Sequence, residues 1–175
     1  DNMGDYAKAE PLYRRALGIV EKALGPEHPE VALYLNNLAG LYQITGDYAK
    51  AEPLYRRALG ISEKALGPEH PTVVNVFFNM AALDAAQQKY SSAFVLFKRG
   101  LAVEEKQIQN IFTFTTEEQK LKFVQLIGGR YEAALSLIHQ HLRKDRAAVR
   151  DGLELVLRRK GIVFDAQARA REALQ

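Results

Sequence analysis

The stretch from Gly4 to Pro29, GDYAKAEPLYRRALGIVEKALGPEHP, recurs from Gly46 to Pro71 with a single change, Val20 against Ser62. The two copies stand 42 residues apart, Gly4 against Gly46. A third, decayed copy keeps the spacing, with Tyr90-Ser91-Ser92-Ala93 matching Tyr48-Ala49-Lys50-Ala51. A fainter echo, Tyr131-Glu132-Ala133-Ala134, lies 41 residues further on. A fixed period of this length restricts the chain to stacked supersecondary units, each too small to bury its own apolar face.

Within a unit the apolar period is helical. Val31, Leu35, Leu38 and Tyr42 recur every three or four positions and predict a helix over Pro29–Thr45. Ala51, Leu54, Tyr55, Ala58, Leu59 and Ala65 predict a second over Asp47–Leu66. Gly46-Asp47 supplies the turn between them, Gly67 a stop, and Pro71 the opening of the next helix. Pro11 and Pro53 fall inside the second helices, where each should remove one backbone hydrogen bond and bend the rod. The chain opens on the second helix of a unit, which reads as a fragment of a longer protein. The apolar face of that first helix is then expected to be uncovered and to favour self-association.

Composition narrows the function classes. The chain has 175 residues, 47% hydrophobic and 26% charged, as a folded protein does. Its net charge of +3 is too small to imply nucleic acid or an anionic membrane. It has no cysteine, so a disulfide framework, a thiolate metal site and a cysteine nucleophile are excluded within it. That composition fits a cytoplasmic location. No apolar run is long enough to span a membrane.

Leu38, Ala39, Tyr42, Gly46, Tyr48, Ala51, Tyr55 and Ala58 stand at the signature spacings of the tetratricopeptide repeat (TPR) family, which the chain resembles. The next copy keeps Met80, Ala81, Tyr90, Ala93 and Phe97 and departs at Asp84 and Gly100, which suggests that the regular array is ending. The 42-residue period and the ALGPEHP loop look like the kinesin-light-chain branch. The resemblance covers about residues 4–107 and implies an all-α, right-handed TPR superhelix (solenoid). Residues 1–107 are read as the array and 108–175 as a helical connector or cap. FTFTTEEQKLKF at Phe112–Phe123, YEAALSL at Tyr131–Leu137 and LELVLRRKGIVFDA at Leu153–Ala166 resemble the connector of bacterial proteins that join TPRs to a caspase-like (CHAT) peptidase. That resemblance implies a regulatory arm of a protease whose catalytic half is not in this chain.

Read on its own, the tail offers a capping box at Thr115-Thr116-Glu117-Glu118, a helix stop at Gly128-Gly129, and a helix over Tyr131–Arg143. One or two helices follow over Arg146–Leu174, interrupted or not at Gly161, with Leu153, Val156, Leu157 and Phe164 facing inward.

Candidate chemistry is sparse. His28 and His70 occupy one loop position in two copies, and read as residues satisfying backbone groups before a helix. His139 and His141, two apart on a helix, point about 200° apart and share a metal poorly. Arg143, Lys144, Arg146, Arg150 and Arg158-Arg159-Lys160 make the tail basic, as a solvated face or as a nucleic-acid patch. No phosphate-binding loop, HExxH or Gly-x-Ser-x-Gly motif occurs. The chain therefore reads as a non-enzyme without cofactor or metal.

The strongest binding candidates are amides. In the resembled family the first helix of each pair lines a concave groove, and an asparagine there often grips a ligand's main chain. Asn37 and Asn79 share that repeat position, with Asn36, Gln43, Asn75 and Phe78 near the same surface and Leu33 adding an apolar contact. An amide both donates and accepts, so it can read an extended backbone. The alternative is that Asn37 and Asn79 bond backbone groups inside the array. No paired Lys/Arg marks a carboxylate clamp. The expected function is a scaffold that binds a protein or peptide, with regulation of a protease and nucleic-acid binding as rivals.

Overall fold

The structure, a computed structural model, describes residues 2–112 and 128–172. Among the described residues every regular element is helical. The helices are α1 (Asn2–Leu24), α2 (Pro29–Ile44), α3 (Tyr48–Leu66), α4 (Pro71–Ala86), α5 (Tyr90–Phe112), α6 (128–142) and α7 (Arg146–Glu172). The last turn of α6, Ile138–Leu142, is wound as a π-helix. The chain forms two compact units, Asp1–Lys89 and Tyr90–Gln175. The 107/108 boundary read from the repeats falls inside α5, within the second unit.

The punctuation of the first unit follows from its sequence. Pro29 and Pro71 sit in the first turns of α2 and α4, where a missing N–H forfeits no helical bond. His28 and His70 cap those helices. Nδ1 of each accepts from a backbone N–H, Glu30 and Thr72 respectively, at 3.2 Å. Both loop histidines therefore satisfy helix ends, as their place before the proline suggests. At the other end of α2, Gly46 takes φ 81°. Its N–H donates to the Gln43 carbonyl at 3.2 Å, and the Asp47 N–H to the Tyr42 carbonyl at 2.8 Å. Asp47 then caps α3, its Oδ1 accepting from the Lys50 N–H at 3.3 Å. Lys50 in turn holds the Asp47 carboxyl below its ordinary pKa, chiefly by hydrogen bonding. α1 and α3 continue as helices through Pro11 and Pro53, both on exposed positions where water can reach the carbonyl left without a donor.

The core of the first unit is a ladder of large and small side chains. Val31, Leu35, Leu38 and Tyr42 of α2 interleave with Tyr55 and Ile61 of α3 and with Val73, Val74 and Phe77 of α4. Ala32, Ala39, Ala51, Ala58 and Ala81 are wholly buried and keep the helices close. Each fully buried Leu or Val contributes about 1.5–3 kcal/mol. α1 is tied to α2 by polar groups as well. Tyr42 Oη donates to Glu10 Oε1 at 2.9 Å and accepts from Arg14 Nη2 at 2.8 Å.

In the second unit Phe94, Phe97 and Leu101 of α5, Tyr131, Ala134, Ile138 and Leu142 of α6, and Ala148 and Leu155 of α7 are buried. Two acidic residues of α5 are buried with them. Tyr131 Oη donates to Glu105 Oε1 at 2.9 Å, and Glu104 pairs with Arg130. The tail departs from expectation at Leu153 and Leu157. Gly128 and Gly129 are themselves helical, and the helix they were expected to end lies outside the described residues. Gly161 does not interrupt α7. Leu153 and Leu157 face out, 61% and 69% exposed, because Ala148, Gly152 and Leu155 occupy the inner face instead. Val156 is half-buried. The Thr115–Glu118 capping box and the Phe164 side chain lie outside the described residues.

Candidate partner-binding cleft

α2 places Asn36 and Asn37, Gly40 and Leu41, and Gln43 and Ile44 on one face, because steps of three and four residues return to the same side of a helix. That face forms one wall of a cleft of about 480 Å³ in the first unit. Asn79 of α4, Tyr55 of α3, and Tyr6, Ala9 and Tyr13 of α1 complete it. The wall carries amides, tyrosines and aliphatic groups and no charged side chain.

Three of the four amides, Asn36, Asn79 and Gln43, are held by hydrogen bonds. Asn79 Nδ2 donates to Asn36 Oδ1 at 2.9 Å, and Tyr55 Oη donates to Gln43 Oε1 at 2.9 Å. Burial pushes the Tyr55 hydroxyl up to about 12, so it stays protonated and keeps its bond to Gln43. These bonds leave the N–H groups of Asn36 and Gln43 and the carbonyl of Asn79 with capacity to spare. Asn37 stands exposed at the cleft wall. The wall therefore presents hydrogen-bond donors and acceptors without charge.

Four of the seven candidate residues, Asn36, Asn37, Gln43 and Asn79, therefore share one cleft. The other three do not line it. Leu33 and Asn75 are exposed elsewhere, and the Phe78 side chain is buried. The structure adds Tyr6, Tyr13 and Tyr55, which the sequence pattern did not single out as site residues. Their repetition at 42-residue spacing carries no mark that separates a wall tyrosine from a buried one.

Three of the other candidates have local partners. The His141 ring stacks on Tyr90 with centroids 3.7 Å apart and planes 6° from parallel. Arg158 is engaged by Glu154 at 2.5 Å and Glu105 at 3.2 Å, and Arg150 by Asp151 at 3.2 Å. Among the described residues no cluster of three His, Asp or Glu could hold a metal, and no helix is long and apolar enough to cross a membrane.

Helix pairs stacked at a 42-residue period, with this cleft on their first helices, define a tetratricopeptide repeat protein. The tetratricopeptide repeat profile matches residues 2–64 and 31–106, and the chain belongs to that family. Among solved structures it is similar to BtubC (BKLC) from P. vanneervenii, with TM-score 0.62, 24% identity and 98% of this chain covered. The match spans 58% of that chain's length. It is also similar to a putative kinesin light chain with nearly identical TPR-like repeats from Podosopora anserina, with TM-score 0.57 and 20% identity. That match covers 95% of this chain and 90% of the other. A variant of the same fungal protein gives TM-score 0.56 and 18% identity, covering 99% and 91%. No curated protein matches. These likenesses show the kinesin-light-chain-like fold, which is consistent with a protein-interaction scaffold.

Proposed function

We propose that the first unit is a docking module that holds an extended protein segment in the α2–α4 cleft and reads its main chain through Asn37, Asn79, Asn36 and Gln43. The observation that carries this reading is the pair of bonds fixing the wall amides, Asn79 to Asn36 and Tyr55 to Gln43, on a surface with no charge. Amides already oriented lose little freedom on binding, so more of their hydrogen bonding appears as affinity. An uncharged wall gives no purchase for a terminal carboxylate, so the segment is bound along its length.

A peptide array tests this. For any captured peptide, N-methylating single main-chain amides should abolish binding at two or more positions, while alanine replacements at those positions leave most of it. Binding that survives every N-methylation and follows side chains alone would contradict main-chain reading.

A further inference from the structure

Helix α7 turns a narrow stripe outward, and contacts on its other side fix that rotation. Ala148, Gly152 and Leu155 are buried. A Cβ at position 152 would stand 2.6 Å from Cδ1 of Ile138, so α7 lies close against α6 at a point where glycine fits. Asp151 pairs with Lys98 of α5, and Arg158 reaches Glu105 Oε2 of the same helix at 3.2 Å. At 100° per residue these anchors leave Arg146, Val149, Arg150, Leu153, Leu157 and Lys160 on the opposite face, and all six are exposed. Positions 146, 150, 153, 157 and 160 follow one another by four, three, four and three residues. That is the seam spacing of a two-helix coiled coil. Its centre is leucine and its ends are cationic.

We propose that this stripe docks an acidic amphipathic helix of a partner protein. The partner's apolar seam residues pack on Leu153 and Leu157, and its Asp or Glu side chains meet Arg146, Arg150 and Lys160. Burying the two leucines supplies most of the affinity, and the flanking charges choose partner and orientation. The charges also argue against a second copy of this chain. An antiparallel α7 pair centred on the leucines brings Arg150 against Lys160, and a parallel pair sets each cation against itself. A lipid surface is the poorer fit, because the described apolar side chains of the stripe, Val149, Leu153 and Leu157, are fewer than an interfacial helix buries. The site lies in the second unit and does not depend on the amide cleft.

The test uses the whole chain and a labelled synthetic helix of about 18 residues with leucine at its central seam positions and glutamate beside them. A lysine-flanked version and vesicles of phosphatidylcholine with phosphatidylserine serve as comparisons. The glutamate helix should bind, weaken as salt rises, and exceed the lysine helix by tenfold or more. Leu153→Ser with Leu157→Ser should lower its affinity at least tenfold. Because those residues are exposed, the variant's circular dichroism and Tm should be unchanged. Arg146→Glu with Lys160→Glu should reverse the preference toward the lysine helix, which a folding defect would not do. Equal binding of the two peptides, no loss in the leucine variant, dimerisation of the chain through this stripe, or binding of vesicles but not of peptide would each overturn the proposal.

Discussion

Tyr13 and Tyr55 hold the same place in two nearly identical helices, yet Tyr55 is 1% exposed and Tyr13 36%. The difference lies in the neighbours. Tyr55 Oη is bonded to Gln43 at 2.9 Å and stands 3.6 Å from where a side chain at Gly40 would begin. Tyr55→Phe should therefore cost about 1 kcal/mol in urea unfolding, while Tyr13→Phe should cost a few tenths at most. Equal losses would mean that the α2–α3 bond does not distinguish them.

Gln88 occupies the repeat position of Gly46 and carries the same left-handed turn, with φ 62°. The bonding is repeated too, since the Lys89 N–H donates to the Asp84 carbonyl at 2.8 Å as Asp47 does to Tyr42. A side chain in that region is strained. Gln88→Gly should raise stability by about 1 kcal/mol, read as a higher urea midpoint. A lower midpoint would show that the Gln88 side chain contributes more than its backbone loses.

Ser62 is the one place where the second copy differs from the first, and it is fully buried with its hydroxyl unpartnered. Ser62→Ala should stabilise the first unit by about 1 kcal/mol. Val20→Ser, at the half-buried equivalent in α1, should change it much less. A destabilised Ser62→Ala chain would point to a hydrogen bond that forms at this site in solution.

Glu104 should make the second unit sensitive to pH. Burial raises its carboxyl pKa, against the opposing pull of Arg130, and its Oε2 has no hydrogen-bond partner. A carboxyl whose pKa is higher in the folded state takes up a proton on folding. Its favourable contribution is complete below the unfolded pKa and fades as pH rises through the folded one. Glu104→Gln stays neutral throughout, so its Tm should gain on the parent chain as pH rises from the ordinary carboxyl range upward. A gap that stays constant over that rise would count against a raised pKa.

Much of the first unit was legible because its signals are local. A proline after a histidine, a glycine before an aspartate and a small residue every turn each act within a few residues, and the duplicate repeats them. The rotation of α7 was not legible. Leu153 and Leu157 look like core in a linear reading, while the true inner face is set by Gly152 meeting Ile138 and by Asp151 meeting Lys98, contacts made across helices. The buried Glu104 and Glu105 were missed for the same reason, since Arg130 and Tyr131 that satisfy them are distant in sequence. In the cleft, the amides stand out as polar residues on an apolar helix. The tyrosines do not, because a ring that packs and a hydroxyl that faces a cleft have the same sequence signature. Phe78 is the converse, a residue placed near the surface by the sequence reading and buried in the structure.

On the proposed function the first unit works through its amide wall, and peptide capture on an array by the parent chain and by Asn37→Ala/Asn79→Ala decides it. Asn37 is exposed and Asn79 half-buried, so the double variant should keep its fold, checked by circular dichroism. A peptide that binds the parent chain and loses tenfold or more in the folded double variant is the predicted result. Undiminished capture by that variant would contradict the account and move the working surface away from the cleft.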